Sequence, residues 1–149
     1  MSANLFDEHQ NIMAAAERIM SVIERKPRVR MDELSRLRAQ LSTLVMAHRI
    51  AEEQQILSPF YQGGCIDLLP QVKPLMTEIR EMWMEYSQHI RTWTPSAIQD
   101  DWDGYCAATA ERVRIMKRMA VREEEEIYHP VLDLLKSSQS ENVFWSIGL

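Results

Sequence analysis

The sequence predicts an all-α protein, specifically an antiparallel up-and-down four-helix bundle. Apolar residues recur at three- and four-residue spacing in four long stretches, which is the period of an α-helix. Glycine is scarce, with 4 residues in 149, and alternating runs of β-branched residues are nearly absent. Because short connections join the stretches, neighbouring helices are expected to run in opposite directions and to bury one stripe each.

Prolines set the limits of the first two predicted helices. The first stretch, 5–23, stops before Pro27, whose ring cannot continue a helix. The second stretch begins near Met31 or Asp32 and ends near Pro59. These limits predict two long helices joined by a short turn.

The second half of the chain repeats this arrangement. After a loop predicted over residues 60–73, a third helix carries apolar residues over 72–93 and stops at Pro95. The fourth helix covers 103–136. Residues 137–149 are predicted to be a polar linker and an apolar tail, which would fold back on the bundle, form a homodimer or bind a protein partner.

Composition and charge exclude several classes of function. With 17 Lys+Arg against 22 Asp+Glu the net charge is -5, which argues against a nucleic acid partner because phosphates are bound by a basic face. No basic leader and no run of 18 uncharged apolar residues is present, so neither export nor membrane insertion is expected. Cys65 and Cys106 are too few for a disulfide framework. We therefore expect a cytoplasmic protein whose bundle covers residues 1–136.

Polar residues lie on the apolar stripes of the first two helices. At about 100° per residue, His9 lies within about 40° of five apolar residues of the first helix. His48 is placed in the same way on the second helix, and Glu52 follows one turn later on the same inward face. A histidine and a carboxylate that face a core are costly to bury unless another group satisfies them.

The fourth helix carries a run of four glutamates, 123–126. Its apolar stripe is centred on Ala120, so Glu124 lies about 40° from the centre and Glu123 about 60° away on the other side. One of these two glutamates is predicted to be buried, with Glu124 preferred. The rest of the run is expected to face solvent.

A weak internal repeat accompanies this run. The segment 52–57 before Pro59 resembles the segment 123–128 before Pro130, with acidic residues followed by an apolar pair in both. The second and fourth helices would then be related halves.

Depth along the bundle gives a second criterion for candidate ligands. His9 lies 17 residues before Lys26, taken as the end of the first helix, and His48 and Ala120 lie 17 residues after the starts of theirs at Met31 and Asp103. All three positions therefore share one level, about 26 Å from the closed end. The nearest ligand-capable side chain of the third helix is Glu78, whereas His89 should lie about 18 Å below this level. His89 is accordingly predicted to be a core-edge residue, and His129 is also placed outside the site.

Histidines and carboxylates that meet at one level of a four-helix bundle are typical of iron and manganese sites. Here the sequence resembles the hemerythrin-like (HHE) cation-binding domains. Residues 5–12 resemble the first motif of that family, and 48–53, ahead of Ile56, Leu57 and Pro59, resemble its second motif, His-x-x-x-Glu-Glu. The resemblance implies a four-helix bundle with a non-haem di-iron site that carries, stores or senses oxygen, nitric oxide or iron.

The resemblance also implies a ligand set, with departures on the third and fourth helices. The fourth-helix motif keeps a carboxylate at Glu124 but has Ala120 where the family has a histidine. The third-helix histidine is missing, and Glu78 lies near its level. The candidate metal ligands are His9, His48, Glu52, Glu78 and Glu124.

Three interpretations remain open at this stage. The site holds two ions of iron, or of manganese, in a carboxylate-rich set; or it holds one ion on His9, His48, Glu52 and one further carboxylate; or the bundle is metal-free and serves as a protein-interaction or regulatory module. In the third case the two histidines would hydrogen-bond each other or a nearby glutamate. No nucleophile–base pair or phosphate loop is present, so binding or sensing of O2 or NO is preferred over catalysis, with a small di-iron oxidase as the enzymatic alternative.

Overall fold

The computed structural model describes the backbone of residues 4–146 and the side chains of 4–137, and every regular element in that range is helical. The α-helices are α1 (Leu5–Ile23), α2 (Met31–Glu52), α3 (Ser58–Gln62), α4 (Val72–Thr92), α5 (Pro95–Asp100), α6 (Trp102–Glu123) and α7 (His129–Ser146). Two π-helical turns, Glu53–Leu57 and Glu124–Tyr128, join α2 to α3 and α6 to α7 without a break. A 3-10 turn covers Ile66–Leu68. The all-helical prediction is confirmed.

Side-chain caps explain where three of the helices begin. Asn4, Thr94 and Asp101 each accept a hydrogen bond from a backbone N–H two or three residues further on, and these bonds begin α1, α5 and α6. Pro95 occupies the first turn of α5, where its missing N–H costs nothing.

Contacts along their lengths show that neighbouring long helices run antiparallel. Between α1 and α2, Arg25 pairs with Glu33 near one end and Glu8 contacts His48 near the other. Ion pairs show that α6 also runs antiparallel to α1 and to α4. These pairs are Glu17–Lys117 and His9–Glu123 between α1 and α6, and Glu85–Arg112 and Glu78–Arg122 between α4 and α6.

One apolar core is shared by α1, α2, α4 and α6. Fully buried aliphatic and aromatic side chains from several helices meet there, among them Ala16, Leu34, Leu75 and Tyr105. Three buried methionines, Met76, Met116 and Met119, belong to this core.

Three boundaries differ from the prediction. The helix expected to end near Pro59 continues to Gln62, because the wider π-turn before this proline accommodates its ring. The short helix α5 was not expected. The polar run 137–140 is helical rather than an irregular linker, whereas the packing expected of the apolar tail, 141–149, lies outside the described side chains.

None of the helices over 4–146 combines the length and the apolar character needed to cross a bilayer.

Candidate metal centre

Three helices bring four ligand-type side chains together inside the core. His9 comes from α1, His48 and Glu52 come from α2, and Glu123 is the last residue of α6. All four residues are buried, and one ligand atom from each lies within 4.8 Å of all the others. This group could hold a metal ion.

The two imidazoles lie side by side with their Nε2 atoms directed at the carboxylates. Their ring centroids are 4.5 Å apart. His9 Nε2 is 2.9 Å from Glu123 Oε1, and His48 Nε2 is 3.4 Å from Glu52 Oε2. The four inner groups therefore converge on one point.

The other ring nitrogen of each histidine is held by an outer carboxylate. His48 Nδ1 is 2.9 Å from Glu8 Oε1, and His9 Nδ1 is 3.1 Å from Glu124 Oε1. The side chains of Glu8 and Glu124 are 21% and 30% exposed, so both remain partly hydrated. Because a carboxylate accepts, Nδ1 of each ring can donate to its outer carboxylate, and Nε2 is the nitrogen that faces the inner groups.

The hydroxyl of Tyr128 lies within hydrogen-bond distance of all four inner groups. Its Oη is 2.7 Å from Glu52 Oε2, 2.9 Å from Glu123 Oε1, 3.0 Å from His48 Nε2 and 3.2 Å from His9 Nε2. A phenol carries one proton, so it can donate to only one of these four acceptors. The shortest distance is the one to Glu52.

Burial and mutual contacts give the two inner carboxyl groups opposite pKa shifts. Burial, helped by the negative charge of Glu52, raises the pKa of Glu123 to about 7 against the opposing hydrogen bond from His9. Burial also acts to raise the pKa of Glu52, but hydrogen bonds from His48 and Tyr128 outweigh it, and the pKa is lowered. Without a metal, Glu123 therefore keeps its proton up to about neutral pH, and a bound cation would displace this proton.

The donor set and one orphaned atom fit a cation. Glu123 Oε2 is buried and has no hydrogen-bond partner among the residues that the structure describes. Once Glu123 and the two Nε2 atoms carry no proton, two carboxylates and two imidazole nitrogens face the single phenolic proton of Tyr128, which leaves an excess of lone pairs at the centre. A metal ion would satisfy these lone pairs directly.

The five predicted ligands have different positions in the structure. His9, His48 and Glu52 meet as described above. Glu124 lies behind His9, on the outer nitrogen, rather than at the centre. Glu78 lies at the surface, where its carboxylate, 52% exposed, accepts a hydrogen bond from the Arg122 guanidinium at 3.1 Å.

Neither of the remaining histidines belongs to the described metal-ligand group. His89 stacks on Tyr105, with ring centroids 6.0 Å apart, and His129 is exposed beside Phe6. α4 therefore contributes neither Glu78 nor His89 to the centre.

The buried glutamate of the fourth helix is Glu123, which corrects the preference for Glu124. The buried residues Tyr105 and Met119 shift the centre of the stripe by about 40° towards Glu123. Glu124 itself lies within a π-turn, where a step of 100° per residue does not apply.

The sequence analysis identified neither Tyr128 nor Glu8. For Tyr128, however, the internal repeat contained a signal. The repeat aligns Glu123 with Glu52 and Tyr128 with Leu57. Both segments form a π-turn that begins one residue after the buried glutamate. Tyr128 thus occupies a buried position that is apolar in the other half.

Two cavities adjoin the centre. A groove of about 520 Å³, lined by Met46, Ile50 and Trp83 among others, has Glu52 in its wall and opens to the surface. A cavity of about 20 Å³ lies against His9 and Glu123 and is otherwise lined mainly by apolar side chains. Its size suits a single small molecule.

Comparisons with known proteins give no relative from which a role could be transferred. No protein-family model matches the chain, no curated protein is significantly similar to it, and no solved structure matches it significantly. What the site can do is therefore argued from its own residues.

Proposed function

We propose that this protein is a hemerythrin-like four-helix bundle that binds one non-haem iron ion through His9, His48, Glu52 and Glu123. The observation that carries the proposal is the use of both nitrogens of each imidazole. The outer nitrogens are held by Glu8 and Glu124, so both Nε2 atoms are fixed towards two buried carboxylates. An outer carboxylate behind a histidine is the usual support of a metal-ligating imidazole.

The ligand types favour iron, with manganese as the alternative. Imidazole together with carboxylate suits both metals, and no thiolate lies in the described group. One ion is favoured over two, because the inner set has four members, whereas paired-metal bundles use two histidines and four carboxylates. The two carboxylates that would complete such a set, Glu78 and Glu124, lie elsewhere.

Reversible binding of O2 or NO is the proposed role of the ion. Four protein ligands leave coordination positions open, and the small cavity beside His9 and Glu123 provides an apolar space for a diatomic molecule. An oxidase is the enzymatic alternative. In that case, the groove that reaches Glu52 would admit a substrate.

Metal analysis after anaerobic loading with ferrous iron tests the proposal. We expect about one iron per chain in the wild-type protein, and a loss of most of it in His48→Ala, because this variant removes an inner ligand. His89→Gln, distant from the centre, is the matched control and should keep its iron. Less than about a fifth of an equivalent of iron or manganese in the wild-type protein, or full metal content in His48→Ala, would refute the assignment.

A metal-free interaction module is the second candidate, and the Tyr128 hydroxyl is the observation that favours it. This hydroxyl lies within hydrogen-bond distance of all four inner groups, so protons on Glu123 and the histidines could hold the cluster together without a metal. In that case the protein purified from iron-rich medium would contain no metal, and a chelator would leave its unfolding temperature unchanged.

A further inference from the structure

We infer that Tyr128 is a fifth protein ligand of the proposed ion, bound through its phenolic oxygen. This inference rests on the function proposed above, and it adds to that function the identity of a further ligand.

The distances around the Tyr128 hydroxyl are those between adjacent ligands of one ion. Protein nitrogen and oxygen ligands bind transition metals at about 2.1 Å, so two ligands at right angles to each other are separated by about 3.0 Å. Tyr128 Oη is between 2.7 and 3.2 Å from each of the four inner ligand atoms. The oxygen therefore lies where a further ligand would be found.

Packing holds the ring in this position. Tyr128 is fully buried, its ring stacks on His9 at a centroid distance of 5.1 Å, and the ring of Phe6 meets it edge-on at 5.6 Å. The π-turn also contributes, because it brings Tyr128 and Glu123, five residues apart, to the same side of the helix. The hydroxyl thus faces the centre without rearrangement of the backbone.

Binding of Tyr128 to the ion would release one proton. The phenolic O–H bond would break, a bond between the oxygen and the ion would form, the proton would leave to solvent, and no electron would be transferred.

Visible absorption and resonance Raman spectra of the ferric protein test the inference. A ferric phenolate gives a charge-transfer band in the visible region and enhanced vibrations of the tyrosine ring. We expect both in the wild-type protein and in Tyr61→Phe, which changes a more exposed tyrosine, and neither in Tyr128→Phe.

The possible outcomes separate this inference from the proposed function. A wild-type protein that binds iron but shows no such band overturns the Tyr128 ligand alone, and so does a band that persists in Tyr128→Phe. A wild-type protein that binds no iron overturns both. If Tyr128→Phe does not fold, wild-type protein with ring-deuterated tyrosine provides the test, because only a bound phenolate would shift its enhanced Raman lines.

Discussion

His9 and His48 each use both ring nitrogens, and the outer nitrogen determines what the inner one can do. Here Glu8 and Glu124 lie at Nδ1 of the two rings, where each carboxylate can accept a proton from the imidazole. The inner Nε2 atoms are therefore the ones that can bind a cation once they carry no proton. The outer carboxylates are therefore part of the site although they do not reach its centre.

Replacement of Glu8 should weaken metal binding without removing an inner ligand. Glu8→Ala leaves Nδ1 of His48 without its acceptor, so the ring loses its fixed tautomer and orientation, and the affinity for iron should fall by about 10- to 100-fold. Titration against a chelator of known affinity measures this change. Glu53→Ala, which removes an exposed carboxylate of the same region, should bind as the wild type does. Equal affinities for Glu8→Ala and the wild type would show that the outer carboxylate has no such role.

His89 gives the protein a pH dependence that is independent of the metal centre. Burial, together with the cationic Arg38 and Arg112, lowers its pKa from 6.5 to about 4. The ring also stacks on Tyr105 and, together with Tyr86, lines a small cavity. No acidic group among these neighbours opposes the lowering of the His89 pKa. Between these pH values the unfolded chain binds a proton that the folded protein does not, so the free energy of unfolding falls as the pH falls.

The variant His89→Gln should flatten this dependence. Its free energy of unfolding in urea should change less than that of the wild type between about pH 7 and pH 4.5, because the glutamine does not titrate. Parallel curves for the two proteins would mean that His89 is not the titrating group.

The two π-turns are the elements that build the centre. Each begins one residue after a buried glutamate, Glu52 in one half and Glu123 in the other, and each precedes a proline by two residues. In a regular α-helix, residues five apart lie about 140° apart around the axis. The i to i+5 hydrogen bonding of a π-turn brings them together, and so Glu123 and Tyr128 share one side.

This geometry explains which parts of the site could be predicted. Prolines and helical periodicity locate the long helices, and His9, His48 and Glu52 precede the π-turns, so regular helical angles place them correctly on the inward faces. Tyr128 lies within a π-turn, where such angles fail. The outer residue Glu8 depends on the lateral packing of α1 against α2, which a single helix does not specify.

Deletion of Glu125 should convert the second π-turn into an α-turn and keep the centre. Glu125 is exposed, and its removal places Glu123 and Tyr128 four residues apart, which an α-helix also brings to one side. We expect cooperative unfolding and retained iron. Deletion of Arg118, an equally exposed residue within regular α6, should rotate every following side chain by about 100° and abolish both. Loss of iron from both deletions alike would contradict this account.

At the scale of the whole molecule, the centre connects distant parts of the chain. His9 and Glu123 are separated by 114 positions in the sequence, and His48 adds the second long helix, so one ion would link α1, α2 and α6. α4 provides no ligand to the described group and faces the site across the groove that reaches Glu52. An ion at this level would therefore stabilise the folded chain while one side of the bundle stays accessible.

Bound iron should consequently raise the unfolding temperature of the whole protein in a single transition. A ligand that binds only the folded state at about 100 times its dissociation constant adds about 2.7 kcal/mol, which corresponds to about 5 to 10 °C for a chain of this length. Scanning calorimetry with and without iron measures the shift, and His48→Ala should show almost none. A similar shift in His48→Ala would place the ion elsewhere. If the transition splits instead, with α4 unfolding separately, the ion would stabilise only the three helices that provide its ligands.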